Sequence, residues 1–218
     1  MMNKYIVSIF FVLVFTYTSE AQEHDSMVFA KGRVLSSLYG NISNQYADVS
    51  SRESIKTTGY RIGTKSGVFL KDNWTLGINF SLSRTDFERS NIKLDSEDFL
   101  IGLWSRLYFA KNGNSSLYAE ITPHYTSIYN ANIIQDHQGA IISNEDVYGK
   151  GYGIIPGLGF TYIISKNVGF GMSLSYTASK IFLDRTNLAL LTKNSDTYNV
   201  SELQFNFNFQ IYLDQFFF

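Results

Sequence analysis

Basic and acidic residues recur on the polar side of segments in which polar and apolar residues alternate. Polar residues at every second position of such a segment share one face. Charges turned into a common interior either line a charged path or neutralise one another as a buried ion-pair plug, and the plug is favoured because unpaired buried charge is costly. The charges placed in this interior cluster are Lys31, Arg33, Arg61, Lys65, Arg106, Glu120 and Glu202.

Histidine offers the nearest approach to catalytic chemistry. His124 is followed by Thr126, and Glu120 lies four residues before it. A nucleophile activated by histidine is normally a serine or a cysteine, and threonine stands in that place here, so an interior or rim contact explains His124 as well. The other histidines, His24 and His137, are far apart in the sequence. We therefore expect no catalytic residue, no metal site and no cofactor.

The element that must position these residues is clearest in residues 202–218, where polarity alternates residue by residue. A strand with a wholly apolar face has to meet protein or lipid, since in water it would aggregate. The apolar face consists of Leu203, Phe205, Phe207, Phe209, Ile211 and Leu213. The polar face consists of Glu202, Gln204, Asn206, Asn208, Gln210, Tyr212 and Asp214.

The same period of two recurs along the chain, and no window has a convincing helical period. Pro123 removes one backbone donor from its strand and predicts a bulge there. The hairpin at 63–83 is matched by a similar one at 157–177, which suggests repeated hairpins. The eight predicted strands are approximately 28–39, 59–70, 74–83, 98–109, 116–129, 151–164, 168–179 and 202–218.

The connections between the predicted strands alternate in length. Long polar loops are predicted at 41–58, 87–97, 130–149 and 184–197, with short turns between them. Short turns at one end of the barrel and long loops at the other are typical of bacterial transmembrane barrels. Within the last long loop, Leu188, Leu190 and Leu191 form an apolar patch that is a candidate contact for a surface ligand; the favoured alternative is that they extend the flanking strands.

The composition of the polar faces separates a membrane barrel from a soluble one. A soluble barrel would turn Lys and Glu to water, whereas three of these strands offer mainly Gly, Ser, Thr and Asn, which suit a narrow lumen. Strands of about 11 to 13 residues also span a bilayer core when tilted. A secreted lipocalin-like carrier is the alternative. Aromatic residues expected to form two interfacial girdles are Trp74, Tyr108, Phe109, Tyr162 and the C-terminal phenylalanines at one end, and Tyr60, Phe87, Tyr129 and Tyr176 at the other.

The N-terminal segment and the composition limit the classes of protein to which this chain can belong. Lys4, the apolar run at 5–15 and Ser19-Glu20-Ala21 predict a signal peptide at 1–21, with a membrane anchor as the alternative, and leave a barrel domain at 22–218. The formal net charge of −1 gives no reason to expect nucleic acid. The 218 residues include no cysteine, which excludes a disulfide framework.

Two short stretches carry a resemblance to a known family. Val68-Phe69-Leu70-Lys71-Asp72-Asn73 runs into Leu76-Gly77-Ile78, and residues 102–109 read Gly-Leu-Trp-Ser-Arg-Leu-Tyr-Phe. With the eight amphipathic strands, they resemble the small outer-membrane β-barrel family (OmpA/OmpX-like). The expected fold class is thus all-β, an eight-stranded antiparallel up-and-down transmembrane β-barrel.

The resemblance implies a place and partners more firmly than an activity. It implies a monomer in the outer membrane of a Gram-negative bacterium, with both termini periplasmic, lipid around it and the barrel-assembly machinery reading Phe216, Phe217 and Phe218. Phe218 is out of phase with Phe209, so either a bulge near Asp214 restores the phase or Phe217 takes its role. A structural or surface-interaction role with a filled lumen is expected. A small porin-like channel and a lipid A-modifying barrel enzyme are the alternatives.

Overall fold

Eight long strands form the whole of the described chain apart from its first residues and its short connections. The computed structural model describes residues 28–50, 53–89, 92–112, 114–135, 141–187 and 192–214. In that part of the chain no helix is long and apolar enough to cross a membrane. The strands are β1 Val34–Ser50, β2 Glu53–Lys71, β3 Trp74–Arg89, β4 Ile92–Asn112, β5 Ser115–Gln135, β6 Ile141–Ser165, β7 Val168–Asn187 and β8 Thr192–Leu213.

The strands close into a barrel in sequence order. Each strand pairs antiparallel with its neighbours, and β8 returns to pair with β1 through Val34 and Leu213. Over the length of this ladder, from Val34↔Leu213 to Gly40↔Phe207, closure satisfies the backbone groups that an open sheet would leave unpaired at its edges. The predicted eight-stranded, all-β, up-and-down barrel is confirmed.

The hairpins at one end, called here the turn end, share one construction. Before the connections from β2 to β3, β4 to β5 and β6 to β7, the register shifts between Phe69 and Lys71, between Phe109 and Lys111, and between Ile163 and Ser165. A bulge at this place increases the local twist and redirects the strand. Asn73, in the first turn, has a φ of 66°, the left-handed conformation that asparagine tolerates better than most residues.

The opposite end, called here the hairpin end, differs from the sequence prediction. The segments predicted as long loops are mostly strand: β1 continues to Ser50, β5 to Gln135 and β7 to Asn187. Alternation fails as a signal there because both faces of a polar hairpin meet water, so nothing selects apolar residues at every second position. The strand predicted from 28 starts only at Val34.

The bulge predicted at Pro123 is also wrong. Gly102 pairs with His124 and Ser105 with Ile121, so the β4–β5 register is the same on both sides of the proline. Pro156 likewise leaves the β6–β7 register unchanged between Ile154 and Gly157. Each proline lacks a backbone donor, yet the ladders on either side keep its strand in place.

Apolar side chains point outward and polar ones inward, as the alternation predicts. Apolar residues with large exposed fractions on the outer surface, here called the outer apolar belt, include Ile62, Leu76, Ile78, Leu103, Leu158, Phe170, Leu174, Leu203, Phe205 and Phe207. Buried residues on the inner faces include Asn79, Ser81, Thr122, Thr161, Ser173, Asn206, Asn208 and Gln210. This is the reverse of a water-soluble protein. Tyr108, expected in an interfacial girdle, instead lies buried inside the barrel.

Candidate functional site

Three charged side chains meet in the middle of the lumen and form what is called here the central charge cluster: Lys65, Arg106 and Glu120. Nζ of Lys65 donates to Oε1 of Glu120 at 2.5 Å. Nε and Nη2 of Arg106 both donate to Oε2, at 3.0 and 2.8 Å. Trp104 donates its indole N–H to the same oxygen at 3.0 Å. Each carboxylate oxygen is therefore occupied, which is what a buried charge requires.

Aromatic rings hold the guanidinium of Arg106 in place. Its central carbon lies 3.9 Å from the ring centre of Tyr118 and 4.8 Å from that of Trp104. Nη1 of Arg106 donates to the hydroxyl of Tyr108 at 3.0 Å. Stacking and hydrogen bonds of this kind replace the water that the cation loses. The central charge cluster thus extends across the lumen, and its side chains are held in place by hydrogen bonds and stacking.

Between the central charge cluster and the turn end, four aromatic side chains fill the lumen. They are called here the aromatic base: Phe29, Phe69, Tyr108 and Tyr212. The ring of Phe29 stacks on Tyr108 with centroids 4.2 Å apart and meets Tyr212 edge-on at 5.8 Å. Phe29 precedes β1 and crosses the barrel end, where its carbonyl accepts a hydrogen bond from Asn73 N–H at 2.8 Å. The chain that enters the barrel therefore also closes it.

Arg33 belongs to this end and not to the central charge cluster. Its Nη2 donates to the carbonyl of Tyr212 at 3.2 Å and to Oδ1 of Asn167 at 3.1 Å. Its Nε lies 2.9 Å from Oδ1 of Asp214. Arg33 thus ties the entry to β1 to the end of β8, beside the first pair of the closing ladder.

Between the central charge cluster and the hairpin end, the lumen contains a cavity of about 110 Å³, called here the lumen cavity. Nη2 of Arg61 and Oε2 of Glu202 lie 3.5 Å apart at its edge. Hydroxyl and amide side chains make up half of the rest of the wall, and Leu100, Ile128, Ile155, Ile181 and Val200 are its apolar part. The hydroxyl and amide residues are Asn79, Ser81, Ser83, Thr126, Ser175, Thr177, Ser179, Gln204 and Asn206.

His124 also lines the lumen cavity, and its partner is a residue that the sequence did not single out. Nε2 of His124 lies 3.0 Å from Oγ of Ser179 on β7. Nδ1 lies 3.5 Å from the carbonyl oxygen of Thr122. Among the described residues no carboxylate is hydrogen-bonded to His124, so the third member of a catalytic triad is missing there. Ser179 is 55 residues from His124 in the chain, and only the barrel brings the two together.

The interior charges predicted as one cluster thus occupy three levels. Lys65, Arg106 and Glu120 meet at the centre, Arg61 and Glu202 lie above them, and Arg33 lies below. Lys31 does not join any of these: it precedes β1, is exposed, and its backbone N–H donates to Oδ1 of Asp72 at 2.8 Å. Its predicted place in the lumen is wrong because residues 28–32 lie across the barrel end and not in a strand.

Two other groups of predicted site residues lie outside the described residues. They are the candidate loop contacts Leu188, Leu190 and Leu191 and the C-terminal Phe216, Phe217 and Phe218. Within the described ranges no group of three His, Cys, Asp or Glu side chains is arranged to hold a metal ion.

Charged side chains reappear on the outer surface beyond the belt. Arg84 follows Leu82 on the outward face of β3, with its Nε 3.0 Å from Asp86 and its Nη1 3.3 Å from Glu97. The hydrogen bond with Asp86 raises the pKa of Arg84. Such pairs in water contribute little to stability, but they mark where the apolar surface ends on this side of the barrel.

The fold and its interior define a closed eight-stranded β-barrel with an apolar outer surface and a largely filled lumen. Several solved structures share this fold, including the following two. OprG, an outer membrane protein of Pseudomonas aeruginosa, superposes with a TM-score of 0.57 at 12% identity, over 87% of this chain and 99% of that one. A major outer membrane protein of Thermus thermophilus gives 0.54 at 8% identity, over 84% of this chain and 100% of that one.

At these identities the likeness concerns the fold alone. No family model matches the sequence, and no curated protein matches it either. The shared fold and the outer apolar belt together support an outer-membrane β-barrel.

Proposed function

We propose that this protein is an integral outer-membrane barrel that does not conduct and does not catalyse, and that acts as a structural or surface-interaction protein. The observation that carries the proposal is the closure of the lumen by the central charge cluster and the aromatic base. Arg106, Trp104 and Tyr118 are 1%, 0% and 0% exposed, so at their level side chains fill the barrel. Eight-stranded barrels have interiors of just this width.

The proposed setting is the outer membrane of a Gram-negative bacterium. An outer apolar belt needs lipid, and strands cross lipid only in a closed barrel. The resemblance to the OmpA/OmpX-like family rests on the sequence motifs and adds the finer parts of the proposal: a monomer, both termini in the periplasm, and assembly by the barrel-assembly machinery. In this orientation the long hairpins face the outside of the cell, where they can contact a surface ligand.

The absence of catalysis is proposed on the geometry around His124. Ser179 is close enough to pass a proton to it, but the nearest carboxylate in sequence, Glu120, is fully occupied by Lys65, Arg106 and Trp104. A serine paired with a histidine that no carboxylate orients is a poor nucleophile. We expect Ser179→Ala to leave the protein's role unchanged.

Planar bilayer recordings test the proposal directly. The wild-type protein should give no steady conductance. The double variant Arg106→Ala with Glu120→Ala removes both partners of one buried ion pair and most of the central charge cluster, so it should leak measurably. The matched double variant Arg84→Ala with Glu97→Ala removes a pair on the outer surface and should stay silent. Large, steady wild-type channels would contradict the proposal and favour a small channel.

A further inference from the structure

The closing seam of the barrel is much shorter than the ladders beside it. The β1–β2 ladder runs from Val34↔Val68 to Ser50↔Glu53, and the β7–β8 ladder runs from Val168↔Ile211 to Asn187↔Thr192. The β1–β8 ladder begins at Val34↔Leu213 and ends at Gly40↔Phe207. Within the described strands, β1 beyond Gly40 and β8 before Phe207 are therefore not paired with each other. This unpaired stretch is called here the open seam.

The end of the open seam next to Gly40 and Phe207 lies in the outer apolar belt. Continuing the register would place Ile42 opposite Phe205 on the outer face. The exposed fraction of Ile42 is 85% and that of Leu203 is 66%, the two highest among the large apolar side chains of the described chain. Each lacks the neighbouring strand that shields apolar residues elsewhere on the sheet. Backbone groups along this end of the seam thus face the membrane without a sheet partner across the gap, and in hydrocarbon they need a polar partner.

Behind the open seam lies the lumen cavity. Inward-facing residues of β8, namely Val200, Glu202, Gln204 and Asn206, line it. Val200 is 39% exposed although it faces inward, as expected beside a gap in the wall. Only long side-chain contacts bridge the gap among the described residues: Asn41 Nδ2 donates to Asn206 Oδ1 at 3.4 Å, and Arg61 reaches Glu202.

The polar groups at the seam favour an uncharged head group. The basic groups around the lumen cavity already have acidic partners, Arg61 with Glu202 and Lys65 with Glu120. Gln204 is 9% exposed, and its Nε2 has no hydrogen-bond partner among the described residues, so one buried donor remains free. The hydroxyl groups of Ser175, Thr177 and Ser179 line the same wall.

We infer that the open seam and the lumen cavity form a lateral binding site for a single-chain lipid with an uncharged, hydroxyl-bearing head group, such as a monoacylglycerol. The head enters between β1 and β8 and accepts a hydrogen bond from Gln204. The acyl chain stays outside, against Ile42, Leu203 and Phe205. A cavity of about 110 Å³ suits a small head group and is too small for a peptide strand. The lipid head group supplies hydrogen-bond partners that the open seam lacks. The lipid does not pass through the barrel, because the central charge cluster and the aromatic base close the lumen.

Equilibrium titration of the purified full barrel in detergent micelles with radiolabelled monooleoylglycerol tests the site. The wild type should bind one molecule saturably. A disulfide between Ile42→Cys and Phe205→Cys staples the seam. Because both substitutions also remove contacts with the acyl chain, the reduced variant is the reference, and oxidation should weaken its binding at least about tenfold, with recovery to the reduced level on reduction. The chain has no native cysteine, so the bond is unique. Recovery on reduction also shows that the variant is folded.

Two matched variants separate the site from general effects. A disulfide between Leu158→Cys and Leu174→Cys, which face each other on the intact β6–β7 ladder, should leave binding unchanged. Gln204→Leu, which keeps the volume but removes the donor, should weaken binding about tenfold.

Several outcomes would overturn the inference. They are non-saturable uptake in proportion to the detergent, equal binding by the oxidised seam variant, tighter binding of oleate than of monooleoylglycerol, or a dimer cross-linked through Ile42→Cys alone. The last result would show that a second copy of the chain covers the edge.

Discussion

Arg106 on β4 and Glu120 on β5 are direct partners in the β4–β5 ladder, and Nη2 of the arginine lies 2.8 Å from Oε2 of the glutamate. Because the two side chains point inward from neighbouring strands, the backbone register itself holds the pair together. Lys65, from the opposite wall, then reaches the other carboxylate oxygen. One glutamate thus cross-links three strands at the level where the lumen closes.

Glu120→Gln should destabilise the barrel more than any change in its exposed charges. Lys65 and Arg106 would lose their shared anion while staying buried, which costs about 3–5 kcal/mol of unfolding free energy. Glu202→Gln is the matched control, because the Glu202 side chain is 47% exposed and its loss should cost about 0–1 kcal/mol. Urea unfolding in lipid vesicles, followed by tryptophan fluorescence, measures both. Equal losses would mean that the central charge cluster is not the main electrostatic support.

Leu174→Arg tests whether the outer apolar belt meets lipid. Leu174 lies on the outward face of β7, and an arginine there should cost about 2–4 kcal/mol if hydrocarbon surrounds it. Ser165→Arg, at an exposed position beside the β6–β7 turn, should cost about 0–1 kcal/mol. The same vesicle assay compares them. Equal tolerance, or purification as a soluble monomer without detergent, would remove the membrane assignment.

Phe29→Ala should loosen the turn end although Phe29 belongs to no strand. The substitution removes a ring packed on Phe69, Tyr108 and Tyr212, and buried Phe→Ala changes cost about 3–5 kcal/mol. Lys31→Ala, two residues away and exposed, should change stability by less than about 0.5 kcal/mol. If both variants unfold at the wild-type urea concentration, the aromatic base does not stabilise the closed end.

Deletion of Phe216, Phe217 and Phe218 should reduce the amount of folded barrel in the outer membrane and leave precursor for periplasmic proteases. Among the described residues the β1–β8 ladder starts at Val34↔Leu213, so the deletion leaves every described pair of that ladder in place. A loss would therefore point to recognition during assembly. Immunoblotting of heated and unheated outer-membrane fractions measures folded protein. Wild-type levels in the deletion would contradict the role of these residues.

Single substitutions refine the same test. Phe217→Ser should reduce assembly more than Phe218→Ser if Phe217 continues the lipid-facing phase of β8. The opposite order would place a bulge near Asp214.

Alternation along the sequence determined the number of strands, their order and the face on which each side chain lies. Residues two apart on a strand share a face by backbone geometry, so Trp104 and Arg106 could be placed inside, and Leu103 and Leu107 outside, without a structure. The turn-end connections were also predictable, because their polar residues interrupt the period at each hairpin.

Tertiary structure alone decided which interior charges meet. Alternation shows whether a side chain points into the lumen, but not where it lies along the barrel axis. That position depends on the register between strands and on how the sheet closes. Lys65 therefore reaches Glu120 across 55 residues of sequence, and Ser179 reaches His124, while Arg33 remains at the turn end. Alternation did not predict where Phe29 and Lys31 lie, because their segment precedes β1 and crosses the turn end of the barrel. The open seam, too, arises only on closure, since the pairing of the first strand with the last cannot be read from either strand alone.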